Sequence, residues 1–279
     1  MFQKSYDGKG ILYLIPTPIG NMEDITIRAL NTLKLVDFVL CEDTRVTSVL
    51  LKKYNINKKL IRCDEYFQSK VEQKVVSALE SGLCVGLVSD AGSPVISDPG
   101  YILARSVISA GYNVVALPGA TAFVPALSVS GINPSPFIFY GFLNSKSAKR
   151  KKELEKLKNH EETIIFYESP HRIIDTLKDI LIIFGDRNIS ISRELTKIHE
   201  EIFRGKVSES INNLSSLKGE FVIVVDGCHD KVDFSNLSIL EHINIYIEDG
   251  YSNMEAIKLV AKERNVPKSV IYNEYNKNK

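Results

Sequence analysis

The first half of the chain alternates short apolar runs with longer segments whose apolar residues recur every three or four positions. The apolar runs have the length of buried strands and lie at 11–15, 36–40, 84–88 and 113–117. Helical spacing marks the segments 24–35, 70–80 and 99–110, and Asp24 is placed to cap the first of these helices. Strands that alternate with helices in this way predict a parallel, doubly wound α/β sheet. We expect residues 1–131 to form this N-terminal α/β domain.

The pattern changes after the proline-rich segment 131–136, which is a candidate linker. Beyond it, strand-like runs lie at 137–141, 163–167, 188–192, 202–205 and 221–225. Helical patterns cover 148–158, 173–184 and 208–214. Two consecutive strands joined around 194–201 predict a hairpin, so we expect 137–228 to form a second α/β domain with a mixed sheet. Residues 230–279 predict a small helical appendage, which is either helix-turn-helix-like or a plain helical hairpin.

Each predicted strand of the first domain ends in a loop rich in glycine, proline and small polar residues. The four loops are Thr17–Asn21, Cys41–Arg45, Ser89–Pro94 and Leu117–Ala122. Parallel strands end at one edge of a sheet, and open α/β sheets bind ligands at that carboxyl edge. The sequence therefore predicts a cofactor cleft. The chain has no G-x-G-x-x-G, P-loop or G-x-S-x-G motif, which argues against a standard NAD fold, a P-loop NTPase and an α/β-hydrolase.

Composition is that of an ordinary globular protein, with 44% hydrophobic and 25% charged residues among 279. The polar segment Met1–Gly10 lacks the apolar core of a signal peptide, and no apolar stretch approaches membrane-spanning length. We therefore expect a cytoplasmic protein with no membrane partner. The four cysteines and five histidines show no metal-ligand spacing, which predicts reduced thiols and no metal site.

The formal net charge of +1 does not indicate a partner, but the distribution of charge is uneven. Segment 146–158 carries seven Lys or Arg residues against two Glu, including Lys149, Arg150, Lys151 and Lys152. Such a run is either a solvated helix face or, if it flanks the cleft, a phosphate-binding surface.

Five motifs resemble one family. They are Leu14–Asn21, Cys41–Arg45, Ser89–Pro94, Phe166–Arg172 and Arg193–Lys197. They are similar to the cleft loops of the tetrapyrrole-methylase-like (class III) S-adenosylmethionine-dependent methyltransferases, and within them to the small-subunit ribosomal RNA (cytidine-2′-O)-methyltransferase I subfamily. The resemblance implies two α/β domains with S-adenosylmethionine in the cleft between them. It also implies 2′-O-methylation of a cytidine in small-subunit (16S) ribosomal RNA, either naked or in an assembled small subunit, by a homodimer.

The same resemblance assigns cofactor contacts to particular positions. Ser93 stands where the superfamily usually has an aspartate in a Gly-Asp-Pro loop, so Asp90 is the nearest substitute for that carboxylate. The remaining positions that match cofactor contacts, the last two through their backbone, are Ile19, Gly92, Ile96, Thr121, Ala122, Tyr167, Glu220 and Phe221.

Removal of a proton from a ribose hydroxyl calls for a general base, and Glu42 and Asp43 lie at the end of a predicted strand. Their alternative role is structural: Asp43 caps the next helix while Glu42 pairs with Arg45.

Candidate phosphate ligands also follow predicted strands. They are Arg45, His171, Arg172, Arg193 and Lys197. Arg172 begins a predicted helix, whose N-terminus attracts anions. Ion pairs with Glu168 or Glu194 are the alternative. Tyr140, Phe142 and Tyr167 are either stacking surfaces for a cytidine turned out of its strand or core aromatics.

Two other functions fit the same cleft. One is a tetrapyrrole-precursor methylase, although an acidic macrocycle does not require an extended cationic segment. The other is a non-catalytic RNA-binding assembly protein that retains the cofactor cleft.

Overall fold

The computed structural model describes residues 2–63, 68–229, 237–248 and 250–277, with the backbone alone for 68–70. The chain divides into two compact units, Met1–Cys228 and His229–Lys279. Both sheets belong to the first unit, so the predicted boundary between 131 and 137 stays a prediction. The predicted start of the appendage at Asp230 lies outside the described residues.

The first sheet is parallel throughout and has the strand order β3-β2-β4-β1-β5. Its strands are β1 (Ile11–Leu14), β2 (Phe38–Cys41), β3 (Lys59–Arg62), β4 (Val85–Leu87) and β5 (Asn113–Ala116). The helices that cover it are α1 (Ile27–Leu35), α2 (Thr44–Lys53), α3 (Gln68–Glu80) and α4 (Tyr101–Ser109). Tyr13 packs with Leu33 and Leu51 on one face, while Leu12 packs with Val75 and Leu103 on the other. The predicted doubly wound α/β sheet is confirmed.

One strand of this sheet was missed, and one predicted helix start was wrong. Strand β3 was not predicted, because its sequence lies in a lysine-rich stretch and its side chains are at least partly exposed. Lysine is common on such edge strands, where charge blocks pairing with other chains. Helix α1 begins at Ile27, with the Thr26 hydroxyl accepting the Ala29 N–H at 3.0 Å. Asp24 instead ends a separate 3-10 turn.

The second sheet is mixed, with the order β6-β7-β10-β8-β9. Its strands are β6 (Phe137–Phe142), β7 (Thr163–Glu168), β8 (Asn188–Arg193), β9 (Glu201–Lys206) and β10 (Phe221–Val225). The accompanying helices are α5 (Phe123–Val129), α6 (Ser147–Leu157), α7 (Ile173–Phe184) and α8 (Val207–Asn213). β6 and β7 are parallel and the other pairs antiparallel, so the predicted mixed sheet and the β8–β9 hairpin are confirmed.

The two faces of the second sheet have different neighbours. Phe221 and Ile223 face a core built with helices α6, α7 and α8. Val222 and Val224 face the opposite way and pack with helix α5 and with Ile19 from the loop after β1. The loops at the carboxyl edge of the first sheet therefore pack against one face of the second.

The second unit contains three described helices, α9 (Ile239–Glu248), α10 (Asn253–Glu263) and α11 (Lys268–Lys277). Ser252 and Glu255 form a capping box at the start of α10. Ile243, Val260 and Ile271 are buried in the core of this unit. A helical appendage is confirmed, with one helix more than a hairpin. Among the described residues, no helix combines the length and apolar character needed to cross a membrane.

Candidate functional site

Three loops at the carboxyl edge of the first sheet are joined by hydrogen bonds. Thr17 and Gly92 exchange two backbone hydrogen bonds, with N···O distances of 2.8 and 3.0 Å. The Ser93 hydroxyl donates to the Ala120 carbonyl at 3.0 Å. Gly92 has φ +87°, a conformation that glycine adopts without strain. The loops after β1, β4 and β5 consequently form one continuous wall.

The second sheet completes this wall through Tyr167. Ile19, Ala122 and Tyr167 pack into one apolar cluster. The Tyr167 hydroxyl accepts the Phe123 N–H at 3.2 Å and lies beside the Thr121 side chain. Burial raises the pKa of Tyr167 above its ordinary value, so the phenol stays protonated at neutral pH. The fold thus brings together predicted cofactor positions from two sheets.

Three other predicted cofactor positions are less well placed. The Ile96 side chain is 44% exposed. Both backbone groups of Glu220 are engaged by Glu194, since the Glu220 N–H donates to Glu194 Oε1 and its carbonyl accepts the Glu194 N–H. Phe221 is paired on both sides in the sheet, and its ring lies in the helix-covered core.

A group of carboxylates lies beside the wall. Glu42 follows β2, and Asp90 and Asp98 follow β4. Burial, then the Glu42 and Asp90 charges, raise the pKa of Asp98 to about 7. Burial also raises the pKa of Glu42, and the Asp90 charge adds to that shift. In the described part of the chain, Asp98 has no hydrogen-bond or ion-pair partner. Carboxyl groups that titrate near neutral pH in a cleft are candidates for proton transfer.

Asp98 was not predicted as a site residue from the sequence. The segment Ser97-Asp98-Pro99-Gly100 indicated only the approach to a helix, and the positions of the neighbouring carboxylates depend on long-range folding. One signal was available: the same loop contains two Ser-Asp pairs, Ser89-Asp90 and Ser97-Asp98. The loop is also strained, because Val95 and Ser97 have φ +76° and +61°. Such conformations cost on the order of 1–3 kcal/mol each and cluster at functional sites.

Asp43 has a structural role. It is the N-cap of α2, where its Oδ1 accepts the Arg45 N–H at 2.8 Å. The Arg45 guanidinium binds the same carboxylate, with Nη2 at 2.6 Å from Oδ2. These hydrogen bonds lower the pKa of Asp43 to about 2, which makes it a weak base. The predicted cap is confirmed, while the alternative pair of Glu42 with Arg45 was wrong, since Arg45 binds Asp43.

The basic run on α6 is divided between surface and core. Lys149 and Lys152 are exposed, and Lys151 Nζ lies 3.4 Å from Asp179 Oδ1. Arg150 does not join an exposed cationic surface, and that part of the prediction was wrong. Its side chain is 3% exposed, and its Nη2 lies 2.7 Å from Asp179 Oδ2. Helical periodicity turns this one position towards α7, where Asp179 neutralises it.

The other predicted phosphate ligands are mostly engaged in ion pairs. Arg172 binds Glu168 at 2.6 Å, and Arg193 binds Glu201 at 2.9 Å. Lys197 bridges Glu194 and Glu220 at 2.9 and 3.1 Å. His171 is exposed beside Arg172. Across the described residues, no group of three or more His, Cys, Asp or Glu side chains is arranged to hold a metal ion.

Known proteins are similar to this chain in sequence or in fold. Residues 11–210 match the family model of the Tetrapyrrole (Corrin/Porphyrin) Methylases. The chain is 48% identical to Ribosomal RNA small subunit methyltransferase I of Bacillus subtilis (strain 168), over 98% of this chain and 97% of that protein. The protein of the same name from Thermotoga maritima is 49% identical, over 78% of this chain and 99% of that protein. The chain belongs to the ribosomal RNA small subunit methyltransferase I family.

The family predicted from the five motifs is therefore confirmed, and it is a methyltransferase family. A solved structure, uroporphyrin-III-C-methyltransferase from Thermus thermophilus, matches this member with a TM-score of 0.57 at 20% identity. The match covers 78% of this chain and 94% of that one, and at this identity it shows a shared fold.

Proposed function

We propose that this protein transfers a methyl group from S-adenosylmethionine to the 2′-hydroxyl of a cytidine in small-subunit ribosomal RNA. Support comes from the family and from one feature of the site. Glu42, Asp90 and Asp98 stand together at the edge of an apolar wall, and for Asp98 no cation is found among the described residues. A proton acceptor and a negative field beside an apolar slot suit the reaction of a hydroxyl with a cationic methyl donor.

The residues present fit S-adenosylmethionine. Ile19 and Ala122 offer apolar contacts, and Thr121 and Tyr167 offer hydroxyl groups. Gly92, Ser93 and Ile96 would extend the contact along the loop after β4. When bound, the cofactor supplies a methyl group on a positively charged sulfur, which the carboxylates would attract. Asp90 takes the place of the carboxylate that Ser93 lacks, and Glu220 and Phe221 contribute least, because their backbone groups are already engaged.

We assign the general base to Asp98. The Asp98 carboxylate would accept the proton of the ribose hydroxyl as the hydroxyl oxygen gains the methyl group and the bond between the methyl carbon and sulfur breaks. The electron pair of that bond would stay on sulfur, so the positive charge on sulfur would be lost as the proton neutralises Asp98. Glu42 remains a second candidate, since burial raises its pKa as well. Asp43 is disfavoured by its ion pair with Arg45. Alignment and exclusion of water would supply the rest of the catalysis.

The RNA would approach over exposed cations. Lys149 and Lys152 are exposed, and His171 lies on the surface near the second sheet. Five other cations would bind phosphate only by sharing or exchanging their present carboxylate partners: Arg45, Lys151, Arg172, Arg193 and Lys197. We further propose a cytoplasmic homodimer that acts on ribosomal RNA or the assembled small subunit.

A tetrapyrrole-precursor methylase is the second candidate. It is favoured by the name of the matching family model and by the uroporphyrin-III-C-methyltransferase fold. The structural match has only 20% identity, however, whereas the ribosomal RNA methyltransferase relatives reach 48% and 49%. We therefore rank ribosomal RNA above a tetrapyrrole precursor as the substrate.

The test is transfer of a labelled methyl group to small subunits from a strain that lacks the gene. We expect about one methyl group per subunit, on a cytidine ribose when nucleosides are identified by mass. Subunits from the parent strain, already modified, should accept none. Transfer to a tetrapyrrole precursor alone would support the second candidate. Stoichiometric cofactor binding without transfer to subunits or extracted RNA would support a non-catalytic assembly protein.

A further inference from the structure

A cavity of about 310 Å³ lies between the loop after β1, helix α2 and the end of β4. Among the residues assigned above to the cofactor, only Asp90 lines it. The cavity is therefore a neighbour of the proposed cofactor wall and shares one carboxylate with it. That carboxylate, Asp90, also belongs to the group that it forms with Glu42 and Asp98.

The walls of the cavity are apolar. Val46 and Val49 lie three positions apart on α2, are 44% and 59% exposed, and face the cavity together with Met22. Leu51 on the same helix is buried in the core of the sheet and holds the helix in place. The exposed valines are therefore not needed for that packing. Apolar side chains of this kind receive flat rings, as in enzymes that turn a base out of its strand.

The polar end of the cavity offers one carboxylate acceptor. The Thr17 hydroxyl already donates to the Ser89 carbonyl at 3.1 Å, and the Ser89 hydroxyl donates to the Gly92 carbonyl at 3.0 Å. Asp90 Oδ1 accepts the Asp43 N–H at 3.2 Å, and no donor to Asp90 Oδ2 is found within the described residues. A carboxylate oxygen in this position favours a ligand with an N–H group, such as the exocyclic amino group of cytosine.

The helix that forms one wall of the cavity carries cations at both ends. The Arg45 side chain, which binds Asp43, stands at the start of α2 and is 89% exposed, and Lys52 and Lys53 are exposed at its end. An apolar slot with an acceptor inside and cations on the adjoining helix complements a base attached to a phosphate backbone.

We propose that this cavity receives the base of the methylated nucleotide, with Val46 and Val49 against its ring and Asp90 accepting a hydrogen bond from its amino group. This inference rests on the proposed function and specifies the substrate class as a nucleotide whose base carries an amino group. It gives Asp90 a role in specificity and leaves the proton transfer to Asp98.

The first test fills the cavity. In Val49→Trp, the larger side chain should lower kcat/KM for small subunits at least tenfold, while the affinity for S-adenosylmethionine measured by calorimetry stays within about twofold. Ile182→Trp is the matched control, because Ile182 is a similarly exposed aliphatic residue on helix α7. It should leave both quantities unchanged. A wild-type kcat/KM in a folded Val49→Trp protein would overturn the proposal. If Val49→Trp keeps the wild-type kcat/KM but its oligomeric mass in solution differs from that of the wild-type protein, the cavity binds a second copy of the chain and not a base.

The second test probes the acceptor. Small subunits are assembled with either cytidine or uridine at the nucleotide identified in the modified RNA. The wild-type protein should prefer cytidine at least tenfold, because uridine presents a carbonyl oxygen to Asp90. The Asp90→Asn amide donates as well as accepts, so the ratio should fall towards one, even if the overall rate drops. An unchanged ratio would overturn the assignment. No transfer by the wild-type protein to cytidine subunits would refute the proposed function, and this inference with it.

Discussion

The two sheets of the first unit use charged residues in opposite ways. At the carboxyl edge of the first sheet, burial and the Asp90 charge raise the pKa of Glu42, and burial with the Glu42 and Asp90 charges raises the pKa of Asp98. In the second sheet and the helices that cover it, buried or half-buried charges are matched, as in the pairs Arg150–Asp179 and Arg172–Glu168. A like-charged group costs folding free energy unless a ligand or a proton compensates it, whereas matched pairs hold a scaffold in place. The difference indicates that the first sheet carries the reacting groups, whereas the charged pairs of the second stabilise the fold.

The largest effect should come from Asp98. Asp98→Asn removes the proposed proton acceptor and should lower kcat by about a hundred- to ten-thousand-fold. The wild-type rate should rise with pH through the Asp98 pKa of about 7 and then level off, since only the ionised carboxylate accepts a proton. The variant should lack this rise. The groups that face Asp98 are Glu42, Asp90 and Tyr167, so Glu42→Gln should move the midpoint to lower pH.

Thermal unfolding supplies the control for this variant. Because folding raises the Asp98 pKa above its unfolded value of 3.8, the protein loses stability from this group as pH rises towards 7. Asp98→Asn should therefore unfold at a higher temperature than the wild-type protein at about pH 8. If Asp98→Asn has the wild-type kcat and unfolds at the wild-type temperature, the carboxylates of the first sheet do not differ in role from the matched pairs of the second.

An effect on stability alone is expected from the helices that cover the second sheet. Arg150→Met leaves the Asp179 carboxylate buried, with Ser147 and Lys151 as its remaining partners among the described residues, and should lower the free energy of unfolding by about 3 kcal/mol. Lys152→Met, on the same helix but exposed, should change it by less than about 0.5 kcal/mol. Urea unfolding measures both. An Arg150→Met protein as stable as Lys152→Met would show that the buried pair does not contribute to the scaffold.

The smallest effect should come from Asp43, although it lies in the same loop as Glu42. Asparagine also caps helices, so Asp43→Asn should keep α2 intact and turnover within about threefold of wild type. Steady-state methylation and far-ultraviolet circular dichroism check these two points. A loss of a hundredfold or more in a folded variant with normal cofactor affinity would make Asp43 the base, in place of Asp98.

Strands and helices that depend on local sequence pattern were predicted, whereas contacts between residues far apart in the chain were missed. Buried parallel strands such as β1 and β2 are continuous apolar runs, and they were predicted within two residues of their bounds. Edge strand β3 lacks that pattern. Arg150 and Asp179 are 29 residues apart, and no local spacing indicates that they meet. The pKa of Asp98 depends in part on Glu42, which follows a different strand, so its role emerges only after the sheet has formed.

The position of β10 has a consequence for how the protein is made. It is the last strand of the first unit in the chain, yet it lies between β7 and β8 in the middle of the second sheet. When the ribosome has synthesised the chain only as far as β9, strand β7 still lacks β10, its antiparallel neighbour. Strand β7 carries Tyr167. Sheets closed by such distant pairing form late. The nascent chain should therefore stay without a completed cleft until nearly the whole first unit has left the exit tunnel.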